Sequence, residues 1–159
     1  WDISRQIEEI GRVSELKTLD AGLRPARDDE AKRLAVPPGE TVLAMRRLFL
    51  ADGKPAALIT SAIRAEGISE QLPQDAAGMM PLDFLARFHT QWPASGAIDF
   101  FAVRADAELA HILRTETGSP LLMMCCTLSG QDAVPVLAQT EIYPGDEGFR
   151  MQAELIKYM

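Results

Sequence analysis

The sequence predicts an α+β domain, a mostly antiparallel sheet flanked by short helices. Long alternating apolar segments read as hairpins, one of them turning on Asp52-Gly53. Short stretches with apolar residues at helical spacing are interleaved with them. The second half of the chain also echoes the first. At a shift of roughly 79 residues, Ala31 falls on Ala110, Leu34 on Leu113, Gly39 on Gly118 and Val42 on Leu121. One residue inserted in the second turn then places Pro55 on Pro135 and Thr60 on Thr140. Two such units fit one sheet with helices on one face and a pseudo-twofold relation between the hairpins, and the seam between them is a natural place for a cleft.

The elements follow in order. "DISRQIEEIGR" reads as a helix, with Ile3, Ile7 and Ile10 on one side, Asp2 as cap and Gly11 as stop. "VSELKTLDAGL" is a strand, and "DDEAKRLAV" a short helix capped by Asp28 or Asp29 and stopped by Pro37-Pro38. Next comes a strand with Val42, Ala44, Arg46, Leu48 and Leu50 on one face and Leu43, Met45, Arg47 and Phe49 on the other. "PAALITSAI" returns from the turn, and residues 64–80 read as loop. "PLDFLARFHTQW" is the clearest helix, with Pro81 in its first turn and Leu82, Leu85, Phe88, His89 and Trp92 near one face. "SGAIDFFAVRA" alternates as a strand, and "DAELAHILRTETG" is a helix capped by Asp106 and closed by Gly118. "PLLMMCCTLSGQDAVPVLAQTEIYPGD" is a second hairpin and "FRMQAELIKY" a final strand.

A chain of 159 residues suits one domain with one sizeable core. Its net charge of −7 repels phosphate backbones, so this segment is a poor candidate for touching nucleic acid. No apolar run approaches the ~20 residues of a membrane helix. The opening "WDISRQIEE" has neither a signal-peptide pattern nor an initiator Met, which raises the expectation of a fragment. Cys125 and Cys126, being adjacent, point to opposite faces of a strand and read as small core residues in a reducing, cytoplasmic setting. Two cysteines and two scattered histidines offer no zinc spacing, and no cofactor or catalytic motif appears.

Arg46 and Arg47 interrupt an apolar strand and point to opposite faces, so at most one reaches a pocket. Arg47 shares its face with Met45 and Phe49. A guanidinium beside an aromatic ring suits a planar or anionic small molecule. The alternative is a surface salt bridge with one of the chain's many acids.

"AMRRLFLADGKP…ITSAI", "DAELAHIL…TGSPLLMM" and "VPVLAQTEIYPGD", in this order and spacing, resemble the UTRA domain, the effector-binding half of HutC-type regulators in the GntR family of bacterial transcription factors. The resemblance runs from about Val13 to Glu154. It implies a chorismate-lyase-like fold, a homodimer, and a small-molecule effector. It also implies that DNA is met only through a winged helix-turn-helix N-terminal to this chain, making residues 1–159 a single UTRA-like domain with residues 1–12 as a linker helix. Members that bind phosphosugars show Arg-x-Arg on the first hairpin strand, where this chain has Arg47-Leu48-Phe49. Glutamates of the two return strands correspond to Ile59 and Leu137, the following tyrosine is Tyr143, and a serine opening the middle helix is Pro81. The expected ligand set is therefore Arg47, Phe49, Ile59, Ser61, Leu137 and Tyr143, around a less polar pocket that favours a small organic acid over a sugar phosphate. Two alternatives stand: a chorismate-lyase-like enzyme, and a dimerisation module without a ligand.

Overall fold

A computed structural model describes residues 2–65, 75–88 and 92–146. Helix α1 (Ile3–Glu9) begins where the Asp2 carboxylate accepts the Arg5 N–H at 3.2 Å. It stops at Gly11, whose φ of +78° lets the Gly11 and Arg12 N–H groups return to the carbonyls of Glu8 and Ile7. Strand β1 (Ser14–Pro25) leads to helix α2 (Asp28–Leu34), and hairpin β2 (Thr41–Ala51) and β3 (Lys54–Arg64) completes the first unit. After a 3₁₀ turn at Ala76–Gly78 and helix α3 (Pro81–Phe88), the same series recurs as β4 (Ser95–Arg104), helix α4 (Ala107–Leu113), β5 (Pro120–Ser129) and β6 (Pro135–Pro144).

The six strands form one antiparallel sheet in the order β1-β2-β3-β6-β5-β4. The two units therefore meet at β3 and β6. There Thr60 faces Thr140, with Leu58 opposite Ile142 on one side and Ala62 opposite Ala138 on the other. That register is symmetric about the Thr60–Thr140 pair, so the sequence echo is realised as a pseudo-twofold axis through the middle of the sheet. The hairpin turn at Asp52 (φ 50°) and Gly53 (φ 77°) has both residues in the left-handed region, as a type I′ turn requires.

Period-two alternation sorts the strands into two faces. On one, α4 packs over Leu48, Leu50, Leu58 and Leu121, and α2 over Val42, Ala62 and Ala138. On the other, α3 packs over Leu43, Met45, Ile63 and Leu137, and α1 over Phe49, Ala57, Ile59 and Tyr143. Helices thus cover both faces rather than the single face read from the echo. Helix α1, expected to serve as a linker, is seated by Ile3 and Ile7 in a core cluster.

Several boundaries differ from expectation. Arg27 stands at the N-cap of α2, and Glu30 takes the capping role by accepting the Arg27 N–H at 2.9 Å. Helices α2 and α4 close on non-glycine residues, Ala35 and Arg114, each at φ 52°. Val36 N–H then reaches the Ala31 carbonyl, and Thr115 N–H the Ala110 carbonyl, the same closure in both units. Gly118 (φ +88°) lies in the turn beyond. Helix α3 is described as far as Phe88; residues 89–91, with His89, lie outside the described residues, and Trp92 is exposed and not helical. The final strand expected at 149–158 also lies outside them. Strand β4 is an edge, exposed along almost its whole length.

Candidate functional site

The face shared by α1 and α3 is not fully packed. Between the two helices and the sheet lies a cavity of about 410 Å³, a volume within the range of small-molecule sites. Its floor is built by alternation alone. Met45, Arg47 and Phe49 come from β2, Ile59 and Ser61 from β3, Leu137, Gln139 and Glu141 from β6, and Met124, Cys126 and Leu128 from β5. Met80, Pro81 and Leu82 at the start of α3 form the roof, and Asp2 and Ile3 of α1 close one end.

The structure brings five of the six sequence-derived residues together: Arg47, Phe49, Ile59, Ser61 and Leu137 all line this cavity. Tyr143 does not line it. It packs with Ile3, Phe49 and Ile59, and its hydroxyl donates to Glu141, which does. Phe49 is 1% exposed and serves the α1 core as much as the cavity wall.

Arg47 and Arg46 diverge as the strand geometry demands. Arg47 is 3% exposed. Its Nη2 donates to the Met79 carbonyl, and its Nη1 reaches the Met80 sulfur at 3.5 Å. Burial pushes its guanidinium pKa down. Arg46, on the far face, donates to Glu108 of α4 at 2.7 Å, an ion pair with the carboxylate mostly in water.

The cavity is largely apolar, but β6 supplies a polar run along its floor. Ser61 Oγ donates to Gln139 Oε1 at 2.9 Å, and Gln139 Nε2 donates to Glu141 Oε1 at 2.6 Å. Tyr143 then completes a buried polar chain along the floor. Glu141 is 1% exposed. Sequence reasoning missed it although the signal was present, since Leu137 and Tyr143 on one face oblige Gln139 and Glu141 to share it. Across the sheet, Arg47 is paired with Ile59 and Ile59 with Glu141, so a cation and a carboxylate flank one apolar residue in a single row.

Cys126 faces the cavity, while the Cys125 sulfur lies 3.9 Å from the Thr140 hydroxyl on the opposite face. Burial, and then Glu141, push the Cys126 thiol pKa up against a weaker opposing effect of Arg33, which makes it a poor nucleophile. Arg33 itself reaches the floor strands from behind. From α2 it donates to the carbonyls of Cys126 (2.6 Å) and Gln139 (2.7 Å) and to the hydroxyls of Thr140 (2.9 Å) and Thr127 (3.2 Å). The backbone of two cavity residues is thereby held by a cation on the other side of the sheet.

Residues 9–147 match the family model of the UTRA domain. No curated protein matches the chain. Among solved structures, the C-terminal domain of histidine utilization repressor from Pseudomonas syringae pv. tomato is similar at TM-score 0.77 and 20% identity, over 91% of this chain and 99% of that one. A GntR-family transcriptional regulator from Enterococcus faecalis is similar at TM-score 0.77 and 18% identity, over 89% and 100%. PhnF from Mycobacterium smegmatis is similar at TM-score 0.76 and 17% identity, over 97% and 69%. At these identities the structural likenesses concern the fold.

Proposed function

The chain belongs to the UTRA domain family and is a regulatory ligand-binding domain; on that premise we propose that its effector is a small organic acid bound in the cavity above the sheet. The observation that carries this reading is the Arg47 guanidinium, buried at the wall of an otherwise largely apolar hollow. A carboxylate would be drawn to that positive charge, with Phe49 and Ile59 against the ligand's carbon skeleton. Ser61 and Leu137 shape the floor, and Tyr143 acts from behind by holding Glu141.

The same reading extends to the assembly. Residues 1–159 form one effector domain, and DNA is met through a winged helix-turn-helix joined at the N-terminal side, in a cytoplasmic regulator. Two copies pair as a homodimer. Strand β4 supports the pairing: it is a long edge on which Ile98, Phe100 and Phe101 are 42–47% exposed. No helix among the described residues is long and apolar enough to cross a membrane. The effector acts by binding one spacing of the DNA-binding heads better than another, and its leverage equals that difference in affinity.

The test is thermal unfolding with a panel of small carboxylates. A ligand at 100 times its Kd adds about 2.7 kcal/mol to the native state. For a domain of this size that is a rise in Tm of roughly 5–10 °C. Wild type and Arg46→Ala should show the rise and Arg47→Ala should not. Equal responses from the two variants would refute the reading. A chorismate-lyase-like activity is the second reading, favoured by the buried Glu141 in the same cavity as Arg47. Formation of 4-hydroxybenzoate from chorismate would establish it.

A further inference from the structure

We propose that Glu141 is a second recognition point of this cavity, and that the effector is a zwitterion whose cationic nitrogen sits on Glu141 while its carboxylate sits on Arg47. The inference rests on the proposed organic-acid reading and adds a charge to the ligand. Arg47 is the single cationic side chain among the described residues that line the cavity, against Glu141, Asp2 and Asp83. Asp2 and Asp83 are exposed at the rim, where water screens them. Glu141 is buried, and the cavity is where a ligand would reach it.

The carboxylate of Glu141 is oriented but not saturated. Among the described residues its oxygens accept one hydrogen bond each, from Gln139 and from Tyr143. A carboxylate offers about four acceptor positions, so each oxygen retains capacity for a donor from the cavity. No ion pair to Glu141 occurs among the described residues. A simple organic acid would be held at the Arg47 end and leave this carboxylate facing methylene groups in a site of low dielectric. An ammonium or protonated ring nitrogen would instead gain a charge-assisted hydrogen bond there.

Geometry sets the size of the spacer. Arg47 and Glu141 stand on strands flanking β3, with Ile59 between them in register. Two strand spacings separate their Cα atoms by about 10 Å. That spacing sets the scale of the bridge at a few carbons, for which a five-carbon chain is the probe. Ile59 below, with Met45 and Met124 beside it, requires that bridge to be apolar, either methylenes or a flat ring.

Three probes of one length test the proposal by calorimetric titration: pentanoate, 5-aminopentanoate and pentylamine. On wild type, 5-aminopentanoate should bind at least tenfold more tightly than pentanoate. Glu141→Gln keeps the side chain's shape and its bond from Gln139, and should erase that advantage, with pentanoate binding no more weakly than to wild type because a like charge has been removed. Arg47→Ala should weaken both acids. Equal affinity of wild type for pentanoate and 5-aminopentanoate would overturn the role of Glu141 and leave the organic-acid reading standing. Failure of all three probes would overturn the two-point bridge, while the carboxylate panel decides the organic-acid reading separately. The comparison on wild type decides the matter even if Glu141→Gln does not fold.

Discussion

Replacing Arg33 by Met tests whether the cavity floor is braced from the far side of the sheet. Met keeps most of the apolar stem but removes four donations, to the carbonyls of Cys126 and Gln139 and the hydroxyls of Thr127 and Thr140. The hydroxyls can rotate to other partners. The carbonyls cannot, and each loses a hydrogen bond from a charged donor, worth about 1.5–3 kcal/mol. Arg33 is half-buried, so water partly replaces it and the lower part of that range applies to each carbonyl. The expected loss is about 2–4 kcal/mol. At about 2–4 °C per kcal/mol, the Tm should fall by roughly 4–16 °C. Urea titration should move the midpoint with an unchanged slope, as a loss of stability without a change in exposed surface requires. Arg33→Lys should fall between, because an ammonium keeps the charge but not the fork that spans both carbonyls. A loss below about 0.5 kcal/mol, the size of an ordinary surface change, would refute the bracing.

Phe84 of α3 is fully buried, with its ring 5.0 Å from that of Phe88, and Phe84→Ala should cost about 3–5 kcal/mol in urea denaturation while loosening the cavity roof. In Gly145→Ala, the new Cβ would sit 2.7 Å from the Pro120 carbonyl oxygen, a backbone atom that cannot move aside, so a loss of about 1–3 kcal/mol is expected by the same assay. Glu30 supplies a pH prediction. Its burial raises the pKa, but paired hydrogen bonds from Arg24 at 2.7 Å and the Arg27 N–H outweigh this and leave the carboxyl below its ordinary value. Because the folded pKa is depressed, the stabilisation is present above the unfolded value of about 4.3 and is lost as pH falls through the folded value. Melting curves taken downward from pH 5 should show this decline in wild type, and Glu30→Gln should flatten it.

The strands were readable because alternation is a local property. It separated Arg46 from Arg47 and set Phe49 beside the cation, and the Asp52-Gly53 turn fixed the register that carries both. The same alternation places Glu141 on that face, whereas the family resemblance expects acids at Ile59 and Leu137. The Arg33 clamp had no local signal. It joins residues 93–107 positions apart, and depends on α2 lying across β6 of the opposite unit, which helical periodicity does not specify. Helix ends were misplaced for a different reason. The closing residues Ala35 and Arg114 are not the glycines that usually mark a left-handed cap, so the sequence points past them, to Pro37-Pro38 for α2 and Gly118 for α4.

The axis through Thr60 and Thr140 has a consequence for how any guest must enter. Equivalent places in the two units carry Met45 and Met124, or Phe49 and Leu128, so the outline of the hollow is nearly the same from either end. Its chemistry is not. Arg47 is answered by Cys126, Ile59 by Gln139, and Ser61 by Glu141. A molecule rotated by half a turn would meet a matching contour with every polar group misplaced. The frame repeats and the lining does not, so the two ends of the hollow are alike in outline and distinct in chemistry.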